Sequence, residues 1–447
     1  MLGRLADLWK SVLDRGIAGV FLLKGVIIVL SFVLITVASR VLGTDSFGTY
    51  SMLFSAAGLL CIVATFGQQI LLMRSWNEYV AANEPGYLKG ALIFGAVTCL
   101  IGSAVTAIAA FAWISSIEGT ILALAVSVYL ALLAMVQTSS HLVRTAIGVG
   151  AGDGYGNLLT IALPIVYLMS CWATGSAPSL EIVFFLFALG ALLALLIHLV
   201  MLWHKVRAVA PGFAATPARF DAKKWTARSL RLWVSNGLEA ANQYLDVLVV
   251  GTLTTPSVAG AYFVTTRLAN AFATAADAMH MFSTRHIPDY YFRGATKPLG
   301  ELLDSVARTT LIITIAGLVL IALGGQAVLS VFNPEYVAYF PALLLLSVGT
   351  AAVGAVGPSG SMLMLTGHEG RYLAIIASTV AMRFVAFIVL IPLFGIMGAA
   401  LATAASFLLM ALLLRSSAKA LTGVDASVIR LFARPGDVVA AGVAKLD

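Results

Sequence analysis

Twelve predominantly apolar stretches divide this chain, and each is about as long as a helix needs to cross a membrane, roughly 20 residues. Only 11% of the 447 residues are charged, whereas soluble domains carry about 25%. So little charge cannot cover a water-exposed surface, which excludes a soluble dinucleotide-binding enzyme, a disulfide scaffold and a disordered regulator. We therefore predict an all-α polytopic membrane protein. The predicted spans are 16–39, 46–72, 88–113, 119–141, 155–175, 180–203, 231–253, 257–283, 305–331, 338–364, 371–391 and 395–415.

The basic residues predict the orientation of these spans. An even number of spans places both termini on one side, and nearly all of the 27 Lys and Arg residues then fall on that side. Basic loops stay in the cytoplasm, so we predict cytoplasmic termini. We interpret residues 1–15 as a basic amphipathic segment. Residues 416–447 are predicted to form a cytoplasmic tail with an interfacial stretch from Val424 to Phe432.

A hydrophilic stretch, 204–230, separates two halves of six spans each, 16–203 and 231–415, and we interpret it as a cytoplasmic basic linker. Short patterns recur in the same order in both halves. Val41-Leu-Gly-Thr44 followed by Gly48-Thr-Tyr50 corresponds to Val249-Val-Gly-Thr252 followed by Gly260-Ala-Tyr262. Six spans per repeat give a parallel pseudo-repeat with its axis along the membrane normal, an arrangement typical of transporters.

Polar residues follow one face of each of the seventh and eighth spans. On both helices they recur at positions i, i+3, i+7 and i+10, which lie within roughly 80° at 100° per residue. Such faces rarely point toward lipid. Two interpretations remain open: the wall of a water-filled lumen, which we favour, or a structural network that joins the two helices. The residues are Asn236, Glu239, Gln243 and Asp246 on span seven, and Arg267, Asn270, Thr274 and Asp277 on span eight.

Three cations lie within the predicted spans, namely Lys24, Arg267 and Arg383. A charge inside the bilayer is costly, so it normally faces a wet cavity or a partner. Asp246 and Arg267 have similar predicted depths, so these two side chains could pair. The sequence contains no metal-binding spacing, no phosphate-binding glycine loop and no catalytic triad pattern. We therefore expect no cofactor, no metal site, no enzymatic activity and no nucleic-acid partner.

Several motifs resemble the Wzx-type lipid-linked oligosaccharide flippases of the multidrug/oligosaccharidyl-lipid/polysaccharide exporter superfamily. The similarity covers most of residues 16–415, although 90–200 matches only in hydropathy. Its most specific run joins spans eleven and twelve, Ile391-Pro-Leu-Phe-Gly395-Ile-Met-Gly398-Ala-Ala-Leu-Ala-Thr403. The other matching segments are Ala38–Gly43, Phe47–Tyr50, Asp246 with Gly251, Ala259–Tyr262 with Arg267, Pro288, Asn333–Tyr336 and Thr366–Glu369.

The resemblance implies a MATE-like transporter architecture and a flippase in a bacterial inner membrane. It would move polyprenyl-pyrophosphate-linked oligosaccharide repeat units from the cytoplasmic to the periplasmic leaflet. Lys24, Arg267 and Arg383 would then bind the pyrophosphate, and the polar faces of spans seven and eight would contact sugar or ions. Membrane lipids are implied partners, and a polysaccharide polymerase and export machinery are candidate partners. Three alternatives stay open: a drug/cation antiporter of the same superfamily, a peptidoglycan-precursor flippase, and a membrane scaffold without transport activity.

Overall fold

The structure, a computed structural model, describes residues 17–284 and 286–432, and it is helical almost throughout, which confirms the predicted all-α class. The chain divides into two compact units, 1–245 and 246–447. The helices of unit 1 are α1 (Ile17–Val41), α2 (Thr44–Thr65), α3 (Gln68–Ala81), α4 (Pro85–Ser115), α5 (Thr120–Ala146), α6 (Val149–Thr174), α7 (Leu180–Val209) and α8 (Ala222–Ala240), which continues into a π-helical segment, Ala241–Leu245.

Unit 2 begins with the residues that follow this π-helical segment. Its helices are α9 (Asp246–Leu253), α10 (Pro256–Thr284), α11 (Ile287–Phe292), α12 (Thr296–Phe332), α13 (Phe340–Ala355), α14 (Ser359–Leu365), α15 (Glu369–Phe394) and α16 (Ile396–Thr422). A 3-10 turn, Pro334–Tyr339, precedes α13, and a second one, Val428–Phe432, follows α16. The first turn is capped by Asn333, whose side-chain oxygen accepts a hydrogen bond of 2.9 Å from the backbone N–H of Glu335.

Ten helices in the described part of the chain are long and apolar enough to cross a membrane. They are α1, α2, α4, α5, α6, α7, α12, α13 with its preceding 3-10 turn, α15 and α16. The two remaining predicted spans, seven and eight, are helical as α8–α9 and α10 but are not among the ten. They are the spans that contain the two polar faces. The protein is therefore a multi-pass membrane protein.

Two helices end earlier than the sequence predicts. The predicted span two runs to residue 72, but α2 ends at Thr65 because Phe66 and Gly67 both adopt the left-handed conformation, with φ of 47° and 71°. The predicted span ten runs to residue 364, but α13 ends at Ala355 and Gly357, at φ 61°, separates it from α14. In both places a short second helix follows the turn.

Aromatic side chains form the core of unit 1. Tyr50 and Phe187 have ring centroids 6.3 Å apart, and Tyr129 lies 5.1 Å from Phe187. All three are nearly fully buried. The Phe47–Tyr50 motif therefore packs α2 against α5 and α7, and its role in this structure is to hold unit 1 together.

The connection between α7 and α8 is fastened to α3 and α4. Lys89 donates hydrogen bonds to the carbonyl oxygens of Ala214 and Thr216, at 2.8 and 2.9 Å. The indole N–H of Trp225, which is fully buried, donates to the hydroxyl of Tyr79 at 2.9 Å. The Lys89 hydrogen bonds thus hold residues 210–221 against α4, and the Trp225 hydrogen bond holds the start of α8 against α3.

The carboxylate of Glu78 on α3 has three neighbouring cations, of which two, Lys224 and Arg228, lie on α8 and join the two helices. Its carboxylate lies 2.8 Å from Arg228, 3.6 Å from Lys224 and 3.9 Å from Arg74. The hydrogen bond from Arg228 is the largest cause of a lowered Glu78 pKa, and the charges of the three cations lower it further against the opposing effect of burial. The ionised carboxylate is therefore the form that stabilises this contact.

We expect Glu78→Gln to reduce the free energy of unfolding by about 1 kcal/mol at neutral pH, because the site is partly exposed and solvent screens it. A carboxylate with a lowered pKa contributes stability above its unfolded-state pKa, and this contribution disappears as the pH falls through the folded-state pKa. The difference between wild type and Glu78→Gln should therefore vanish in acid. Denaturation of the purified protein across a pH series measures it, and a difference independent of pH would contradict the ion-pair explanation.

The end of the described chain packs onto the preceding helices of unit 2, and the interfacial position of Val424 to Phe432 stays a prediction. Val424 and Ala426 are buried in a cluster with residues of α11, α12 and α14. Arg430, 1% exposed at its side chain, donates to Asp304 at 2.7 Å and to the carbonyl oxygen of Asp425 at 2.8 Å. The predicted segment 1–15 and the tail beyond 432 lie outside the described residues.

Candidate functional site

A buried ion pair joins α9 and α15 in unit 2. The Arg383 guanidinium, which is fully buried, lies 3.2 Å from the carboxylate of Asp246. The hydroxyls of Tyr262 on α10 and Thr403 on α16 are 2.9 Å apart, and both interact with that carboxylate. We call these four residues the buried ion-pair cluster. It brings together side chains from four separate helices.

This cluster corrects the prediction that Asp246 pairs with Arg267. The ion pair of Asp246 is formed with Arg383 on α15, and not with the expected cation on α10. Similar depth was the basis of the prediction, but depth does not say which neighbouring helix a side chain faces. Arg267 instead has its guanidinium 5.0 Å from the centre of the Phe263 ring, a distance at which a cation–π attraction operates.

The π-helical segment, Ala241–Leu245, explains why the polar face of span seven is not continuous. A π-helix has more residues per turn than an α-helix, so the regular 100° spacing is lost between residues 241 and 245. Glu239 and Gln243 are exposed in the structure, whereas Asp246 is buried. The four residues predicted on one face therefore divide into an exposed pair in unit 1, the half-buried Asn236, and an acid in the core of unit 2.

Side-chain amides link α8 to α3 and α5 in unit 1. Asn236 donates to the side-chain oxygen of Gln69 at 3.4 Å, and Gln69 donates to Gln137, also at 3.4 Å. The neighbouring Gln68 donates to the hydroxyl of Ser229 at 2.9 Å. Asn236 is therefore bonded toward α3 and not toward span eight, and Gln69 and Gln137 are polar partners that the predicted stripe did not include.

Two residues of the polar face of span eight have described side chains, Arg267 and Asn270. Asn270 is exposed, and its side-chain oxygen accepts a 3.0 Å hydrogen bond from Thr350 on α13. Arg267 is half-buried one turn earlier. The side chains of Thr274 and Asp277 lie outside the described residues, although α10 passes through both positions.

Lys24 is the most exposed of the three predicted cations, with 52% of its side chain accessible. Its ammonium lies 3.8 Å from the carboxylate of Asp153, which also binds Arg144 at 2.6 Å. Asp153 is buried and was not predicted as a site residue, since it lies between the fourth and fifth predicted spans. Two cations sharing one carboxylate leave a net positive charge at this position.

The exposure of Gln243 and Asn270 gives a direct test of the wet-face interpretation. In a variant without native cysteines, single cysteines at these two positions should react with a small water-soluble thiol reagent in intact membranes. A cysteine at Val250, which is fully buried on the same helical run, is the control and should stay unmodified. Protection of both polar positions to the level of Val250 would contradict a water-filled environment.

No group of three His, Cys, Asp or Glu side chains within residues 17–284 and 286–432 has the arrangement of a metal site. The three cysteines, Cys61, Cys99 and Cys171, are buried free thiols. The transmembrane helices also carry amides, hydroxyls and charged side chains. Such groups bind sugars, phosphates and small ions by hydrogen bonds and charge.

Solved transporter structures share this fold. An inward-facing multidrug resistance MATE family transporter of the MOP superfamily is 13% identical, covers 88% of this chain and 96% of its own, and has a TM-score of 0.68. The lipid II flippase MurJ in an inward closed conformation is also 13% identical, with coverage of 90% and 87% and a TM-score of 0.61. A MOP superfamily transporter from Pyrococcus furiosus is 12% identical, with coverage of 89% and 95% and a TM-score of 0.57.

These likenesses establish the MATE-like fold that the sequence motifs implied. The comparison with curated protein sequences finds no match. The sequence model of the polysaccharide biosynthesis protein family matches residues 13–279, which is more than half of the chain and includes α1 to α9 and most of α10. The chain therefore belongs to the polysaccharide biosynthesis protein family.

Proposed function

We propose that this protein is a flippase that moves polyprenyl-pyrophosphate-linked oligosaccharide repeat units from the cytoplasmic to the periplasmic leaflet of a bacterial inner membrane. The observation that carries the proposal is the family match on a transporter fold. The transported units would supply the synthesis of exopolysaccharide, capsule or O-antigen, and a polymerase and export machinery would use them. Both termini would face the cytoplasm.

The chemistry of the substrate agrees with the polar groups on the helices. Sugars and pyrophosphate cannot cross hydrocarbon without hydrogen-bonding partners, whereas the prenyl chain can remain in lipid. Exposed Gln243 and Asn270 offer such partners, and Arg267 and Lys24 offer positive charge. Movement by alternating access follows the mechanism of parallel-repeat transporters, and no catalytic step is required.

Arg383 has a different place in this proposal from the other two cations. Its side chain is fully buried and bound to Asp246, so it would reach a substrate only after that pair opened. We therefore assign phosphate contact first to Arg267 and Lys24. In the conformation described here, Arg383 would support the helices that carry the site.

Reconstitution tests the proposal. The purified protein in liposomes should transfer a lipid-linked oligosaccharide between leaflets, measured by its accessibility to an added glycan-cleaving enzyme, with and without proton or sodium gradients. Lipid II and a cationic dye serve as the other substrates. Transfer of lipid II alone would favour a precursor flippase, consistent with the likeness to MurJ. Efflux of the dye alone would favour an antiporter, and no transport of any substrate would favour a scaffold.

The proposal predicts a defined effect at Arg267. Arg267→Ala should abolish transfer of the lipid-linked oligosaccharide, because it removes a cation from the path of the pyrophosphate. Arg267→Lys should retain part of the activity, since a point charge still attracts phosphate. Adding Asp246→Ala to Arg267→Ala should not restore transfer, because the ion-pair partner of Asp246 is Arg383. Restoration in that double variant would make Arg267 a structural partner.

A control for Arg267 is available in the same unit. Arg293 is 75% exposed at its side chain and pairs only with Asp289, four residues earlier, among the ion pairs of the described residues. Arg293→Ala should transport like the wild-type protein. A similar loss in this variant would mean that removing any cation of unit 2 impairs the protein.

A further inference from the structure

Unit 1 contains an apolar groove of about 440 Å³ that the proposed transport path does not use. Helices α4, α5 and α7 form its walls, and all three are long and apolar enough to cross a membrane. Its volume falls within the range of about 300–1,000 Å³ typical of small-molecule sites. On the rim, Leu100 and Leu199 are 54% and 52% exposed.

The floor of the groove offers no polar group that needs a ligand. The thiol of Cys99 lies 3.4 Å from the hydroxyl of Thr138 and 3.6 Å from the carbonyl oxygen of Ala134. Ser139 bonds to His198 at 3.0 Å. The remaining lining is almost entirely hydrocarbon. A groove of this kind in a membrane-spanning wall suits a hydrocarbon chain, because only apolar contact is gained there.

One end of the groove is positively charged. Trp203 and Phe213 line that end, and each carries a cation over its ring. The Arg207 guanidinium lies 4.8 Å from the centre of the Trp203 ring, and the Lys89 ammonium lies 5.8 Å from that of Phe213. Arg207 is exposed. Aromatic and basic side chains at the end of a span are typical of the level of lipid head groups.

We propose that this groove binds one anionic phospholipid, with an acyl chain between α4, α5 and α7 and its phosphate beside Arg207 and Lys89. The charge lies at one end only, and the lining offers no polar path toward the other end. A lipid bound here would therefore stay in one leaflet, which distinguishes it from a substrate that crosses. With the predicted orientation this is the cytoplasmic leaflet, where anionic lipids attract basic residues.

Native mass spectrometry of the full-length protein with equal amounts of phosphatidylglycerol and phosphatidylcholine tests the proposal. We expect one retained phosphatidylglycerol per protein and at least fivefold less phosphatidylcholine. Ala96→Trp places an indole into the groove and should reduce retention at least fivefold. Ala109→Trp, on an exposed position of the same helix outside the groove, should leave it unchanged. Equal retention in both variants would overturn the proposal.

A second pair of variants covers the case in which Ala96→Trp fails to fold. Arg207→Glu changes an exposed side chain and should remove the preference for phosphatidylglycerol, while Lys223→Glu, exposed on α8, should preserve it. If Arg207→Glu keeps the preference for phosphatidylglycerol, the proposal that Arg207 binds the lipid phosphate is wrong. Addition of a polyprenyl phosphate at equal concentration should not displace the phospholipid. Displacement would assign the groove to the prenyl chain and would also overturn the proposal.

Discussion

Replacing Arg383 with alanine is expected to lower the free energy of unfolding by about 3–5 kcal/mol, the largest loss we expect from any single ion-pair change in this protein. Arg383 is fully buried and 3.2 Å from Asp246, whose side chain is 9% exposed. Removing the guanidinium leaves a carboxylate enclosed without a cation. Its remaining partners, the hydroxyls of Tyr262 and Thr403, cannot neutralise the charge.

A double-mutant cycle separates this explanation from a simple loss of packing. Asp246→Ala alone should also be strongly destabilising, because it leaves the Arg383 cation enclosed. Combining the two substitutions should recover a large part of the loss, since both charges are then absent. Denaturant titration of the detergent-solubilised protein measures all four proteins of the cycle.

Controls for this cycle come from the same unit. Arg293→Ala breaks an exposed pair with Asp289 and should cost less than about 1 kcal/mol. Arg267→Ala combined with Asp246→Ala should show no comparable recovery. If the losses of Arg383→Ala and Asp246→Ala simply add, the two groups do not depend on each other and the ion pair does not explain their burial.

The second large effect is expected at Gly90 on α4. A Cβ atom there would fall on the carbonyl oxygen of Arg219, 2.8 Å from its carbonyl carbon and 3.1 Å from the ring of Trp225. These are backbone and buried ring atoms, which cannot move aside as a flexible side chain would. We expect Gly90→Ala to reduce the free energy of unfolding by about 3 kcal/mol, at the upper end of overpacking costs.

Proteolysis shows which part of the structure Gly90→Ala disrupts. In Gly90→Ala the connection 210–221 should detach from α4, so trypsin should cleave after Arg219 much faster than in the wild-type protein. Gly25→Ala on α1, where a Cβ atom would have no neighbour within 4 Å, should unfold and digest like the wild type. Unchanged cleavage after Arg219 would show that α4 and the connection adjust without separating.

The membrane-spanning pattern was accessible from the sequence because it depends on local properties. A run of about 20 apolar residues must be helical in lipid, whatever its neighbours. Where the prediction failed, the reason is backbone geometry. Phe66 adopts a left-handed conformation that its residue type does not signal, and the helix predicted to reach residue 72 therefore ends at Thr65.

The sequence identified the polar residues inside the spans more reliably than it identified their partners. Asp246, Arg267 and Arg383 are all recognisable as charges inside spans, yet the predicted pairing was with the wrong cation. Tyr262 and Thr403 lie in motifs of the resemblance, but nothing in the sequence predicts that their hydroxyls are in contact. Contacts between distant helices depend on packing, which helical periodicity and depth along the membrane do not determine.

Across the π-helical segment, Ala241–Leu245, the rotation of 100° per residue does not hold. The direction in which a side chain points after the segment therefore cannot be counted from residues before it. Residues up to 240 contact α2 and α3, whereas residues from 246 contact α10 and α15. A sequence alignment that assumes one continuous α-helical period through this stretch will therefore match exposed positions with buried ones. Comparisons of relatives should restart the helical count at Asp246.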